Sequence, residues 1–310
     1  MKPLRVLSIA TVVSAFVLVA LSPIVRITGS GLGCGDHWPL CNGRLIPPLD
    51  NPEVLIEWGH RLAAATVSIL VILQATMAWV KRREPGIGGA GGITGPAYLA
   101  VLLLVTQVML GAVTVWFELP PWVVVLHMSN ALALLAVVLV VALRCSYGPA
   151  RRGGTPARAF RGVVVALAMS GVALLLGALT ANLGAGLACL GFPLCSGSIW
   201  PASGQGYAHL HWMHRLVAYG LVVHMIGIVA ATTKRGDPAP IRRAAWGTTA
   251  LLAFHVAVAA LMIVHLLPMP LRTVHAALGT GVWTVLVYFS WLTASGPAAG
   301  AAGAAGDESP

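Results

Sequence analysis

The chain has 310 residues, 58% of them apolar and only 9% charged, with a mean hydropathy of +0.86. That balance excludes a soluble domain and fits a polytopic helical membrane protein. The formal charge of +10 is spread through short segments between apolar runs, so it orients the chain in a membrane and is no nucleic-acid surface.

In chain order the apolar runs fall at about 6–25, 58–80, 96–116, 122–143, 162–181, 209–231, 246–266 and 273–293. Each is close to the roughly 20 residues a helix needs to cross a bilayer. The first follows Lys2 and Arg5, flanks that resemble those of a signal peptide. No small-residue cleavage site comes before Pro23, and seven more runs follow, so it reads as a retained first span. Lys81, Arg82 and Arg83 follow span 2. Arg144, Arg151, Arg152, Arg158 and Arg161 lie between spans 4 and 5, and Lys234, Arg235, Arg242 and Arg243 between spans 6 and 7. With eight spans, 14 of the 19 basic residues fall on one side, which is then cytoplasmic together with both termini.

The long loops, about 26–57 and 182–208, lie on the other side, and each holds a cysteine pair: Cys34 and Cys41, then Cys189 and Cys195. Pro39-Leu40-Cys41-Asn42-Gly43 matches Pro193-Leu194-Cys195-Ser196-Gly197. The offset is 154 residues from Cys41 to Cys195 and again from His60 to His214, and it is 148 from His127 to His275. The expected fold is therefore all-α: eight transmembrane helices in two tandem four-helix bundles, related by a pseudo-two-fold axis along the membrane normal. The units are 1–143 and 162–293, joined by a cytoplasmic linker at 144–161. An Ala/Gly/Ser/Pro-rich tail at 294–310 is expected to be disordered.

Glu57-Trp58-Gly59-His60-Arg61-Leu62 returns as His211-Trp212-Met213-His214-Arg215-Leu216. His60, His127, His214 and His275 all sit near the outer ends of even-numbered spans. Facing histidines on bundle helices are a standard way to hold haem iron, and pairing His60 with His127 and His214 with His275 makes one site per unit. The ordinary alternative is hydrogen-bonded interfacial histidines, but four at matched depth in both repeats favour a cofactor. His224, His255 and His265 have no counterpart in the first half, and helix-helix hydrogen bonding accounts for them. His37, His209 and His211 stand in or beside the outer loops.

Glu57 precedes His60 by three residues and shares its face if the helix begins early enough. A carboxylate beside a haem pocket at a low-dielectric boundary is suited to moving protons, and the second copy has His211 there instead. Chemistry thus belongs to the first half and a supporting haem to the second. Arg61 and Arg215 are placed either to pair with haem propionates or to snorkel to headgroups. The cysteine pairs face the oxidising side, with six and five residues between their members. Each suits a local disulfide, structural or cycling with a thiol donor, with zinc a weaker option. Cys145 is expected to be a free thiol.

Val25-Arg26-Ile27-Thr28-Gly29-Ser30-Gly31-Leu32-Gly33-Cys34, Trp38-Pro39-Leu40-Cys41-Asn42-Gly43, Glu57 and His60-Arg61 together resemble haem A synthase. So do Gln107 to Thr114, His127-Met128-Ser129-Asn130, the Gly186-Leu187-Ala188-Cys189 loop with Cys195, His214-Arg215 and His275, over about residues 6–293. The first loop departs from the family wording at Gly35-Asp36-His37-Trp38, where Pro-Asp-Trp is common. The resemblance implies a bacterial cell-membrane enzyme that oxidises the C8 methyl group of haem O to a formyl group by successive hydroxylations. It implies substrate haem at His60 and His127 with Glu57 assisting, haem b at His214 and His275, and disulfides Cys34–Cys41 and Cys189–Cys195. It also implies two partners, the haem O synthase and an electron acceptor. A farnesyl tail would suit a lipid-facing groove. Nothing in the sequence supports copper. The rival readings are a di-haem cytochrome b-type quinone oxidoreductase and a haem transporter or chaperone; Glu57, present in one half only, favours chemistry.

Overall fold

Helices form where the apolar runs are, but they start earlier than hydropathy alone marks. The computed structural model describes residues 1–89, 91–148 and 157–295. Nine α-helices lie among them: α1 Lys2–Leu21, α2 Pro23–Ile27, α3 Pro52–Val80, α4 Thr94–Trp116, α5 Pro121–Tyr147, α6 Ala157–Asn182, α7 Gly206–Lys234, α8 Ala239–Val264 and α9 Met269–Ser295. Taking α1 and α2 as one segment, eight are long and apolar enough to cross a membrane, and the chain is a multi-pass membrane protein. The middle of the expected linker, residues 149–156 with Arg151 and Arg152, lies outside the described residues, as does the tail from 296. The helices take up the edges of both segments, since α5 continues to Tyr147 and α9 to Ser295.

The start of α3 shows why the hydropathy reading came late. Asn51 accepts from the Glu53 N–H with its side-chain oxygen at 2.9 Å, and Pro52 occupies the first helical position. The helix thus begins ahead of the apolar run at 58, and both Glu57 and His60 are helical. The condition for their sharing a face is met.

Packing is mainly between neighbours in sequence. α4 packs on α5, α6 on α7 and α8 on α9, while α1 packs against both α3 and α5. One apolar core joins Ala15, Val67, Val71, Leu104, Leu135 and Val138; another joins Val163, Ala166, Leu221, Met225, Leu286 and Phe289. α9 also meets α1 and α5, and there Trp283 donates its indole N–H to the Leu132 carbonyl at 3.1 Å. Gln74 donates to the Ser8 hydroxyl at 2.9 Å, and Ser8 donates onward to the Leu4 carbonyl at 2.8 Å. Buried polar contacts of this kind are worth roughly 1 kcal/mol each between helices in lipid. Large apolar side chains such as Val6, Ile69, Leu102, Val223 and Val264 stay exposed, as expected of surfaces that face acyl chains.

The connections on the cysteine-bearing side come in matched pairs. The α4–α5 turn holds Glu118 and Leu119 at positive φ, 57° and 62°; the α8–α9 turn does the same with Leu266 and Leu267, 58° and 64°. Leucine rarely enters that region, and here the turn aims each side chain at a glycine of a cysteine loop. A Cβ on Gly31 would stand 2.6 Å from Leu119, and one on Gly186 would stand 2.7 Å from Leu267. A side chain at either glycine would have to displace the leucine methyl that packs there.

Candidate functional site

Both cysteine pairs form disulfides, Cys34–Cys41 and Cys189–Cys195. Cys145 is free and buried, with its sulfur 3.4 Å from the Ser8 hydroxyl. Each disulfide loop is held down by one arginine from the helix that follows. Arg61 on α3 donates to the His37 and Leu40 carbonyls at 2.8 Å and, through Nε at 3.1 Å and a second nitrogen, to Glu57. Arg215 on α7 donates to the carbonyls of Gly191 at 2.8 Å, Leu194 at 2.9 Å and Cys189 at 2.5 Å. Its Nε reaches His211 Nε2 at 3.3 Å. All three nitrogens of each guanidinium are therefore engaged by protein atoms, which makes both arginines loop clamps. Four of the five N–H donors of each guanidinium are used in this way, which leaves one for a further acceptor.

Glu57 and His211 stand one turn before these arginines and accept from them in the same way. Glu57 is 4% exposed, and its second oxygen takes the Cys34 N–H at 2.7 Å, tying the carboxylate directly to the disulfide. His211 is 5% exposed and part of α7, so it is no loop histidine. The first clamp therefore contains a buried ion pair, whereas the second holds its guanidinium with carbonyls and an imidazole.

The four repeat-matched histidines lie where the matched offsets place them. His60 and His214 are each the ninth residue of their helices, and His127 and His275 each the seventh. With about 1.5 Å rise per residue, the members of each such pair lie equally far from the starts of their helices. His214 donates from Nδ1 to the Ala173 carbonyl at 2.9 Å, since a carbonyl can only accept. His60 places Nδ1 at 3.4 Å from the Ser22 hydroxyl, whose proton is directed to the Leu18 carbonyl at 2.6 Å. In both rings Nδ1 then carries the proton and Nε2 keeps its lone pair, the arrangement that metal-ligating histidines show. His214 and His275 bring their ring centroids to 6.5 Å. Two imidazoles sharing one iron through bonds of about 2 Å are separated by roughly this much.

Glycines make room for these rings. A Cβ at Gly177 would stand 2.9 Å from His214 Cε1, and one at Gly111 would stand 3.4 Å from His127 Cε1. His127 Nδ1 and His275 Nδ1 are buried with no hydrogen-bond partner. Cradled rings, free lone pairs and orphaned buried nitrogens are what imidazoles would need to hold a haem iron here. Among the described residues no three or more His, Cys, Asp or Glu side chains converge as a protein-only metal site, so copper and zinc find no donor set there.

Of the remaining histidines, His224 donates to the Gly162 carbonyl at 2.8 Å, an interhelical contact as expected. His255 behaves differently. It stacks on His275 with centroids 4.4 Å apart, and its Nε2 has no partner. Gln107 on α4 approaches His127 through an Nε2–Nε2 contact of 3.0 Å. The signal that would have joined these two was in the sequence, because Gln107 and His255 are separated by the same 148 residues as His127 and His275.

Eight spans, two disulfide loops and buried histidines on the spanning helices define the class, a multi-pass membrane protein. A family model for cytochrome oxidase assembly proteins, COX15-CtaA, matches residues 5–287, and the chain belongs to that family. It is similar to the haem A synthase of Symbiobacterium thermophilum, 32% identical over 304 residues, 94% of this chain and 96% of that protein. The haem A synthase of Shouchella clausii is 31% identical over 297 residues, 94% and 97% of the two chains. That of Listeria monocytogenes is 33% identical over 235 residues, 73% of each.

Proposed function

We propose that this chain is a haem A synthase, which oxidises the C8 methyl group of haem O to a formyl group by successive hydroxylations. The observation that carries this reading is the histidine set, matched in helix position across the two halves, with Glu57 one turn before the first clamp arginine and His211 at the same place in the second. Methyl to formyl is a four-electron oxidation, so a separate electron acceptor is a required partner, and haem O synthase supplies the substrate. The helices divide into two units, 1–143 and 162–293, each a four-helix bundle about its own core and related by a pseudo-two-fold axis along the membrane normal. The matched turns and loop clamps support that division.

In the first unit His60 and His127 bind the substrate haem, and Glu57 takes up protons released in the oxidation. In the second, His214 and His275 hold haem b, which supplies one-electron transfer when bound. Arg61 and Arg215 act by seating the disulfide loops over the two sites. The Cys34–Cys41 bond is tied to Glu57 through the Cys34 N–H, which makes it the pair more closely linked to the chemistry. The basic linkers put both termini in the cytoplasm and the cysteine loops outside the cell membrane.

The test is expression in cells that make haem O but cannot convert it, followed by extraction, chromatography and mass measurement of the haems. Haem A is expected from the unaltered chain. Glu57→Gln, which keeps the shape and loses the charge, should lower the yield about 100-fold or more, the scale of a lost acid–base group. Haem O left unconverted by protein with both sites filled and an acceptor present would overturn the proposal.

A further inference from the structure

The repeat that relates the four histidines also relates two side chains that touch them. Gln107 on α4 lies 20 residues before His127, and His255 on α8 lies 20 before His275. Each occupies the third spanning helix of its half and meets the histidine on the fourth, but the two contacts are chemically unlike.

Gln107 has a settled orientation. Its Oε1 accepts from Asn130 Nδ2 at 2.8 Å, and Asn130 gives its other proton to the Leu103 carbonyl at 2.8 Å. Asn130 is thus spent as a donor, and the amide N–H of Gln107 must face His127. It donates to His127 Nε2 at 3.0 Å. The lone pair of His127 is therefore at Nε2, under Gln107, while Nδ1 is buried without a partner. His275 has a different neighbour. His255 lies ring against ring, 4.4 Å between centroids and 35° between planes, with His255 Nε2 and His275 Nδ1 both unpartnered. That contact braces the ring and supplies no donor to it.

We propose that Gln107 is a latch on His127: a positioning residue that occupies the ring's Nε2 whenever iron does not, making the first site exchangeable, while His255 braces His275 and keeps the second haem in place. The inference rests on the two-haem reading above and deepens it. A buried imidazole that loses its metal is left with an unsatisfied acceptor, an expensive state in a low-dielectric interior. Gln107 removes that penalty by moving in as iron leaves, so product release and substrate entry trade one partner for another. His275 has no such replacement, and its iron stays. A site that must turn its haem over and a site that must keep it would differ in this respect.

The experiment uses the full-length protein purified from cells supplying haem O and mixed with excess apomyoglobin, which captures released haem. Extracted haems are then counted by chromatography over time. From the unaltered protein, haem O and haem A should transfer while haem b remains. Gln107→Leu is expected to slow transfer of haem O and haem A roughly three- to tenfold, the scale of one lost hydrogen bond, with haem b content unchanged. Gln107→Asn, too short to reach the ring, should do the same. His255→Gln should make haem b transferable, and His255→Phe, which keeps a ring against His275, should not. Transfer at the unaltered rate from loaded Gln107 variants overturns the latch. So does either variant purified with haem b but without first-site haem, since Gln107 would then be needed for loading. If the unaltered protein carries no haem at either site, it is the two-haem reading that fails.

Discussion

Arg61→Ala is expected to destabilise the protein by about 3–5 kcal/mol, the usual consequence of removing one partner from a buried ion pair. The Glu57 side chain is 5% exposed and that of Arg61 16% exposed, so the carboxylate left behind has little water to fall back on. The substitution also orphans the His37 and Leu40 carbonyls, which hold the Cys34–Cys41 loop against α3. In detergent, the midpoint of thermal unfolding should fall by roughly 10 °C. Removing the stranded carboxylate as well, in Arg61→Ala/Glu57→Ala, should recover part of that loss, because two groups in direct contact are not additive. Arg61→Lys should recover little, since a single ammonium cannot span a carboxylate and two carbonyls. Unaltered stability in Arg61→Ala, with no recovery in the double variant, would show that the pair is not what seats the loop.

Gly177→Leu is expected to empty the second site without touching a ligand. A Cβ at 177 would stand 2.9 Å from His214 Cε1 and 3.2 Å from Nδ1, the atom that donates to the Ala173 carbonyl. The ring is bounded on that edge, so a side chain at 177 must push it off its hydrogen bond. Overpacking of this kind costs about 1–3 kcal/mol, or up to roughly a hundredfold in occupancy. The reduced absorption band of haem b, normalised to protein, should be nearly absent in Gly177→Leu and lowered in Gly177→Ala. Gly111→Ala is the contrast. Its Cβ would sit 3.4 Å from His127 Cε1, close to ordinary contact, and first-site haem should be retained. Equal haem loss in the two alanine variants would mean that the glycines do not cradle these rings.

What could be read in advance divides along physical lines. Spans announce themselves through apolar runs, and the repeat through fixed offsets from Cys41 to Cys195 and from His60 to His214. Helix starts were less visible, because the first turn of α3 is polar and is set by the Asn51 side chain and Pro52, neither of which raises hydropathy. Hydrogen-bond partners were not legible at all. Arg61 and Arg215 suit either propionates or headgroups by sequence, and nothing there announces that each also donates to carbonyls some two dozen residues away. His211 stands just inside the apolar run at 209–231, beside the loop, and its burial in α7 depends on the helix starting at Gly206. Gln107 and His255 correspond across the two halves, but an amide standing opposite an imidazole hides it. The 148-residue offset held there, but the residue type did not.

The most direct measurement of the two-site claim is the mass-resolved haem content of purified His60→Ala and His214→Ala proteins from cells supplying haem O. His60→Ala should lose haem O and haem A and keep haem b, while His214→Ala should lose haem b and its low-spin absorption. Loss of the same haem from both variants, or full haem content in either, would contradict one haem site in each half of the chain.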